Sequence, residues 1–515
     1  MAHALVPRVR QARRAIVGFG CNQAFLFAML YLGSFNESAQ HGFLIDRADL
    51  LFVLLVMAAT FALMARERSR RRLVAAADGL VRCYALPLAV ALYLLVALHG
   101  LMPGIPWLAL AAAEGLVAGV SLALLLCQWG RVLGEASIDQ SVPEVFIGSA
   151  LGAAVCFFVV AIPVEGAYIL LYVLPAGSAW ALRALGESGG AADGAAPADA
   201  AERAEGRRAS RDGDNVGGRG PEPTAADAPT DEAAKLSGRI VAGTVVYGVA
   251  TGAVEALGSS AEGAGTSSLS VTFVLFVLYC AAALQLYGGR PGSLGVRAVL
   301  PTGPDQEVGP LGGAYRLAIL LMVGGFVAVP LLESVGVSGV AVVLAGYLGV
   351  FSVLVSLFLI MGRIGGGDAV RSIARGFAAL FAGEITGVLI GGIVGALPGT
   401  FDASAALVAL AGVAVMYAYL FLFTDRDMAA LSVVVAQTDR FEEACELIAR
   451  TAKLSKREAE ILPLALRGRT AERIAGEFFI SKNTVDTHLR RIYAKCGVHT
   501  RQELIDLGEK TETEL

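Results

Sequence analysis

The sequence predicts an all-α protein in which a polytopic transmembrane helical bundle is followed by a smaller four-helix soluble domain. Three observations lead to this fold class. The 515-residue chain is 56% hydrophobic and only 17% charged, whereas about 25% charge is usual in soluble proteins. Its apolar residues form about twelve runs of roughly 20 residues, the length that crosses a bilayer's hydrocarbon core. Beyond residue 453 these runs give way to short amphipathic patterns with helix-capping signals.

The predicted spans form two groups of about six. They are placed near residues 15–34, 48–65, 80–100, 107–128, 144–162, 164–184, 239–258, 268–287, 314–332, 338–361, 377–397 and 403–423. Residues 186–237 are nearly free of large apolar side chains, so they cannot bury enough surface to offset chain entropy. The sequence thus predicts a first six-span half at 1–185, a disordered linker at 186–237 and a second six-span half at 238–424.

Arginines in the predicted loops indicate the orientation of the chain. They occupy the N-terminus and every second loop, as Arg8, Arg10, Arg13, Arg14, Arg66, Arg68, Arg70, Arg71, Arg72, Arg131, Arg290, Arg297, Arg363, Arg371 and Arg375. The intervening loops contain no Lys or Arg except Arg47. Because Lys and Arg stay on the cytoplasmic side, we expect a multi-pass protein of the inner (plasma) membrane, surrounded by the lipid bilayer, with both termini and the linker in the cytoplasm.

Two sets of six spans joined by a long inner linker resemble the major facilitator architecture, over about residues 1–425. The resemblance is one of topology only. Members of that family usually carry Gly and Asp ahead of the basic cluster between their second and third spans, and MARERSRRRLV has neither. The resemblance implies a solute carrier.

Carboxylates within apolar runs are candidates for function. Glu114, Glu255 and Glu384 fall inside predicted spans, where a charge costs at least about 2.5–3.5 kcal/mol. Glu114 and Glu384 are the candidate ligand-binding residues, for a cationic or hydrogen-bonding small molecule or a coupling proton. The alternative is that they are protonated or paired and hold helices together. Glu384 lies beside glycines at every fourth position from 383 to 395, a pattern that predicts close packing of two helices.

Past the last span, residues 425–452 form an amphipathic pattern that predicts a helical connector, acting as a spacer or as a contact between subunits. The domain at 453–515 follows. Ser455 and Glu458 have the spacing of a capping box, and Gly468 ends the helix that they begin. Thr470 and Ser481 are expected to cap the second and third helices, Gly497 to end the third, and the fourth runs from about residue 500.

The third helix of this domain has two different faces. Val485, Leu489 and Ile492 form a buried stripe, and the opposite face carries polar and basic residues, namely Lys482, Asn483, Asp486, Thr487 and Arg490, with Arg491 and Lys495 beside it. Two short helices joined by a tight turn, the second exposing such a face, describe a helix-turn-helix. Residues 451–507 hold 11 Lys and Arg against 7 Asp and Glu, an excess of +4 in a chain of net charge −4. The predicted partner is double-stranded DNA.

The stretch LSKREAEILPLALRGRTAERIAGEFFISKNTVDTHLRRIYAKCGVHTRQELI resembles the LuxR-type helix-turn-helix domain over its whole length. The matching residues are Leu454, Arg457, Glu458, Gly468, Ile474, Ala475, Ile480, Ser481, Thr484, Val485, His488, Ile492, Lys495, Gly497, Val498, Arg501, Glu503 and Leu504. The resemblance implies a homodimer that pairs through its last helix on an inverted repeat. It implies base contacts from Asp486, Thr487 and Arg490 and phosphate contacts from Lys482, Thr484, Arg491 and Lys495.

Two residues depart from that family's pattern. Asp486 stands where members often have Lys, and its carboxylate could accept a hydrogen bond from cytosine N4. Pro463 falls inside the first helix, where it removes a backbone donor and is expected to kink the helix.

The function predicted from these features is that of a membrane-embedded transcriptional regulator, with the bundle as anchor and small-molecule sensor. The alternative is a major-facilitator-like transporter with a fused regulatory DNA-binding domain. The sequence shows no nucleophile–base pair, so an enzyme is not expected. Its seven cysteines form no CxxC or Cys/His cluster, so neither a metal nor another cofactor is predicted.

Overall fold

The computed structural model describes residues 2–31, 48–98, 106–162, 164–193, 231–258, 266–287, 310–333, 339–364, 368–397, 403–424, 427–428, 440–441, 443–478 and 480–514. Within these ranges the chain is helical and contains no strand. The predicted all-α class is therefore confirmed.

Thirteen helices make up the described part of the N-terminal unit, which extends to Ala429. They are α1 (Ala2–Tyr31), α2 (Ala48–Ala65), α3 (Glu67–Arg82), α4 (Ala85–Leu98), α5 (Trp107–Glu135), α6 (Ile138–Ala161), α7 (Val164–Asp193), α8 (Asp231–Gly258), α9 (Thr266–Tyr287), α10 (Pro310–Glu333), α11 (Gly339–Ile364), α12 (Ala369–Gly395) and α13 (Ala403–Tyr417). A π-helical turn at Ala418–Leu422 follows α13. A helix lies at each of the predicted spans, and α3 is additional.

The bundle has the dimensions and surface of a membrane domain. Among the described residues, nine helices are long and apolar enough to cross a membrane, or up to ten if the bent pair α3–α4 makes one span. Large apolar side chains face outward, including Leu88, Phe158, Val327, Leu410 and Val413. Soluble monomers rarely expose apolar patches on this scale. The N-terminal unit is therefore a multi-pass membrane region.

The third predicted span differs from the structure at its start. The prediction began it near residue 80, but residues 80–82 end the amphipathic helix α3, and the chain then bends by 71° into α4. Tyr84, at the bend, has a positive φ of 54°. Pro87 has no N–H to offer the Cys83 carbonyl, so the helical hydrogen-bond ladder lacks one bond at this point, which favours a bend there.

The predicted linker is helical at both of its ends. Helix α7 continues to Asp193 and helix α8 begins at Asp231, so residues 186–193 and 231–237 are helical where disorder was expected. The sequence that begins α8, DEAAKL, is rich in residues of high helix propensity. The remainder of the linker, 194–230, lies outside the described residues.

The glycines of α12 pack directly against the backbone of α8. A Cβ atom added to Gly383, Gly387 or Gly391 would lie 2.3, 2.1 or 2.5 Å from a carbonyl oxygen of α8. Gly248 and Gly252 of α8 face α12 in the same way, where an added Cβ would lie 2.3 and 2.2 Å from the carbonyl oxygens of residues 380 and 384. The predicted close helix packing is confirmed at these positions.

Arginines from three predicted inner loops meet at one end of the bundle. Arg70, Arg131 and Arg363 line a single cavity of about 570 Å³. Arg70 forms an ion pair with Asp368, at 2.8 Å between Nη2 and Oδ2, and Arg131 binds both carboxylate oxygens of Asp78 at 2.8 and 2.9 Å. These loops therefore lie at the same end of the bundle, as the arginine alternation predicts.

The second compact unit comprises residues 430–515. In its described part, residues 443–451 are helical, and four further helices follow, α14 (Lys456–Leu466), α15 (Ala471–Phe478), α16 (Lys482–Cys496) and α17 (Arg501–Glu514). Most of the predicted connector before residue 440 lies outside the described residues.

Candidate nucleic-acid interface

The C-terminal unit has its own hydrophobic core. Its buried side chains come from every helix of the unit, and they are Cys445, Ile448, Ile461, Leu462, Ala465, Leu466, Ile474, Ala475, Val485, Leu489, Ile492 and Leu504. The stripe predicted on the third helix is thus buried. Cys445 and Ile448 belong to the predicted connector, so this core extends across the boundary that the sequence places at residue 453.

The first helix begins and ends where the sequence predicts. Ser455 accepts a hydrogen bond from the Glu458 amide, and the Glu458 carboxylate accepts one from the Ser455 amide at 2.8 Å, which completes the capping box. Pro463 lies inside α14, yet the helix continues to Leu466. Gly468 then takes a φ of +73°, a conformation that only glycine adopts without strain.

The turn between α15 and α16 places the third helix against the second. Thr470 accepts a hydrogen bond from the Arg473 amide at 3.3 Å, which caps α15. The Ile480 amide donates to the Ala475 carbonyl at 3.0 Å, and Ser481 caps α16 by accepting from the Thr484 amide at 3.1 Å. Gly497 ends α16 with a φ of +69°. These local contacts set the direction in which α16 leaves the turn.

Helix α16 presents the predicted DNA-contacting residues on its solvent side. Lys482, Asn483, Thr484, Thr487, Arg490, Arg491 and Lys495 are exposed, and Asp486 is half-buried. Within the described residues, Arg490 and Arg491 form no ion pair. Their guanidinium groups therefore point a set of unpaired donors at solvent, the geometry that phosphate and guanine recognition requires.

The two lysines of this face are both paired with carboxylates. Lys482 Nζ lies 2.6 Å from Glu472 Oε1, and this contact raises the pKa of Lys482 and lowers that of Glu472. Both side chains are largely exposed, so the pair is weak and exchangeable.

Lys495 has a different kind of partner. Its Nζ lies 2.6 Å from Glu458 Oε2, and the Glu458 side chain is only 3% exposed. Burial raises the pKa of the Glu458 carboxyl, but hydrogen bonds from Lys495 and Ser455 outweigh it and hold the pKa below its ordinary value. This ion pair fastens α16 to the start of α14. The sequence predicts that Lys495 contacts phosphate, and it contains no signal that Glu458 is the partner of Lys495.

A second feature that was not predicted from the sequence is the contact between the end of the connector and the DNA-binding domain. Phe441 packs against the domain's core, and the Arg467 guanidinium lies 4.8 Å from its ring centroid. Phe441, Cys445, Ile448 and Ala449 are spaced as one face of a helix. That spacing was the signal that could have assigned the segment to the domain.

The membrane-embedded carboxylates lie in different surroundings. Glu384 is fully buried on α12, where the Tyr347 hydroxyl donates to its Oε2 at 3.0 Å. Its Oε1 has no hydrogen-bond partner among the described residues. Glu255, buried on α8, is near enough to interact with it electrostatically. Glu114 is half-buried on α5.

Comparison with known proteins assigns the second unit. Residues 452–507 match the model of the family described as bacterial regulatory proteins, luxR family. The chain is also similar in structure to a bacterial homologue of the iron transporter ferroportin in its outward-facing state, with 12% identity and a TM-score of 0.47, over 82% of this chain and 99% of that one. A second similar structure is the Major Facilitator Superfamily transporter FucP in its outward conformation, with 12% identity and a TM-score of 0.42, over 80% and 98% of the two chains.

Both units of the chain can now be assigned. The apolar helices form a multi-pass membrane region, and the capped helices with their exposed recognition face match a regulatory family in sequence. The protein thus joins a helical membrane bundle to a LuxR-type helix-turn-helix DNA-binding domain at residues 452–507.

Proposed function

We propose that this protein is a membrane-embedded transcription regulator, in which the bundle anchors the DNA-binding domain to the membrane and senses a small molecule. The observation that carries the proposal is the exposed polar face of α16 on a LuxR-type domain. A helix presented in this way fits the major groove of double-stranded DNA.

The roles of the residues on α16 follow from their chemistry. Arg490 and Thr487 contact bases, Arg490 through the bidentate geometry that guanine accepts. Asp486 accepts from cytosine N4, and Asn483 lies on the same face. Thr484 and Arg491 contact phosphates. Lys482 joins them by exchanging the exposed Glu472 for a phosphate, and Lys495 adds positive charge while Glu458 holds it in place.

Two copies of the domain pair on DNA through α17. One face of this helix is committed to the domain's own core, because Leu504 is fully buried and Gly508 packs against Leu466. The opposite face is exposed at Gln502, Asp506 and Glu509, so it remains accessible to a second copy on an inverted repeat.

The sensing site is at Glu384. A buried carboxylate with one oxygen bonded to Tyr347 and the other without a partner among the described residues favours a ligand that brings a cation or a hydrogen-bond donor. Glu114, half-buried on α5, is the second candidate. The same buried carboxylate also favours the alternative function of a transporter. Solute uptake into vesicles that Glu384→Gln abolishes would establish that alternative.

The protein lies in the inner (plasma) membrane with both termini in the cytoplasm, where the chromosome is. Support comes from the convergence of Arg70, Arg131 and Arg363 at one end of the bundle, because the basic end of a bundle faces the cytoplasm.

The proposal is tested by mapping the chromosomal sites that the full-length protein occupies, and by measuring the affinity of residues 430–515 for a selected site. Truncating Arg490 and Thr487 to alanine together is expected to weaken specific binding by about 1–3 kcal/mol, since a bidentate base contact is lost. Arg450→Ala is the matched control, because Arg450 is exposed but lies before the helix-turn-helix. Unchanged affinity after the double substitution would show that α16 does not read the DNA.

A further inference from the structure

The last membrane helix, α13, is followed by a hydrogen-bonded turn that packs against the bundle. Helix α13 ends in the π-helical turn Ala418–Leu422, a rare geometry that is found frequently at functional sites. The Thr424 amide and hydroxyl then both donate to Asp427 Oδ2 at 2.9 Å. Phe423 is fully buried, and Asp427 and Met428 are nearly so. We call Phe423, Thr424 and Asp427 the exit corner. The chain from this corner leads to the DNA-binding unit.

Helix α10 holds the corner through one tyrosine. The Tyr315 hydroxyl donates to the Phe423 carbonyl at 2.8 Å, and the two rings lie 4.5 Å apart between centroids. The same hydroxyl is hydrogen-bonded to the hydroxyl of Tyr247, on α8, at 2.5 Å. Both tyrosines are fully buried. A buried hydroxyl that loses its hydrogen-bond partner is destabilising, so this chain of contacts resists displacement.

Helix α8 contacts the corner along one stripe. Arg239 Nη2 lies 3.3 Å from Asp427 Oδ2 and donates to the Phe421 carbonyl at 3.1 Å. One turn further on, Gly243 approaches so closely that an added Cβ would lie 3.2 Å from the Phe423 Cβ. Tyr247 follows after another turn. Positions 239, 243 and 247 are four apart, so they lie on the same side of the helix.

Helix α8 also contacts the segment of α12 that carries the sensing site at Glu384. Gly248 and Gly252 bring α8 against the backbone of Leu380 and Glu384 on α12. Nine residues separate Gly243 from Gly252, which is about 14 Å along an α-helix. Helix α8 thus contacts the corner at one point and the carboxylate-bearing segment of α12 at another.

We propose that α8 couples the sensing site at Glu384 to the exit corner. Arg239 and Tyr247 are the positioning residues that transmit the state of this site to the corner. This inference rests on the proposed function, because it takes the bundle to be a sensor. Close-packed helices shift as units rather than deforming locally. A ligand that moves α12 at Glu384 therefore moves α8, and the Arg239–Asp427 and Tyr247–Tyr315 contacts carry that movement to the chain that leads to the DNA-binding domain.

The test is a double-mutant cycle in cells, using the full-length protein and a transcriptional reporter driven by a selected operator. Glu384→Gln perturbs the membrane site with little change in shape, and Asp427→Asn breaks the ion pair at the corner. We expect Glu384→Gln to change reporter output by about fivefold or more in the otherwise unaltered protein. In the Asp427→Asn background it should change output by less than about twofold, because the coupling is lost. Glu187→Gln, which breaks an exposed ion pair with Arg183, is the matched control and should leave the Glu384→Gln effect intact.

Immunoblots of membranes confirm equal abundance, and Tyr315→Phe replaces Asp427→Asn if the latter does not accumulate. The same Glu384→Gln ratio in both backgrounds would overturn the inference, as would its absence in the unaltered protein. A reporter that responds to no variant, including deletion of residues 430–515, would instead overturn the proposed function.

Discussion

Glu458 illustrates how one side chain serves several contacts in the DNA-binding unit. It closes the capping box at Ser455 and binds Lys495 from the recognition helix. Lys495→Gln should lower the free energy of unfolding of residues 430–515 by about 1–3 kcal/mol at pH 7, because it leaves a buried carboxylate without its cation. The measurement is urea unfolding of this unit.

The pH dependence follows from the same pair. The folded-state pKa of Glu458 lies below its ordinary value, so its contribution to stability is present above the unfolded pKa of about 4.3 and is lost as the pH falls through the folded pKa. Lys495→Gln should weaken this acid-dependent loss. Lys510→Gln is the control, since Lys510 and Glu514 are exposed and 3.9 Å apart, and it should cost less than about 0.5 kcal/mol. Equal costs for the two substitutions would contradict the role given to Glu458.

At the scale of elements, the helical end of the connector belongs to the fold of the DNA-binding unit. Ile448 is 4% exposed within its core, whereas the adjacent Leu447 is 45% exposed. Ile448→Ala should therefore lower the unfolding free energy of residues 430–515 by about 2–5 kcal/mol. Leu447→Ala removes a similar volume and should change it by less than about 0.5 kcal/mol. If the two variants unfold alike in urea, the segment does not pack as described.

The glycine contacts between α8 and α12 lead to a second prediction for elements. Gly387→Ala places a methyl group 2.1 Å from the Val249 carbonyl oxygen, so the helices must separate, at a cost of about 1–3 kcal/mol. Gly324→Ala meets nothing within 4 Å and is the control. Thermal unfolding of the detergent-solubilised full-length protein should show a lower midpoint for the first variant alone. A midpoint that is unchanged for Gly387→Ala would mean that α8 and α12 pack less closely.

Most helix positions were predictable because their signals are local. Ser455, Gly468, Ser481 and Gly497 act within a turn of the chain, and they end or begin helices as expected. Contacts between distant residues were not predictable. Lys495 and Glu458, like Tyr347 and Glu384, are separated by 37 residues, and no local pattern indicates which partner a buried carboxylate finds. The bend before α4 had a signal, Pro87, that hydropathy alone overlooked.

For the whole molecule, the two units have different surfaces. The membrane unit presents apolar side chains outward, whereas the second unit has its own small core and a polar recognition face. Regulation requires that the membrane unit lies in the bilayer while the recognition face of α16 reaches DNA. This places one requirement on the orientation of the chain. The DNA-binding unit must be on the cytoplasmic side of the membrane.

The orientation is open to a direct measurement. A fluorescent protein fused after Leu515 should fold and fluoresce, and alkaline phosphatase fused at the same place should be inactive, because the latter needs the oxidising exterior. Alkaline phosphatase inserted in the arginine-free loop at residues 99–106 should be active, since that loop is expected outside. This insertion is also the control for reporter function. An active phosphatase after Leu515 would place the recognition helix away from the chromosome, and no arrangement of the residues on α16 could then support regulation of transcription.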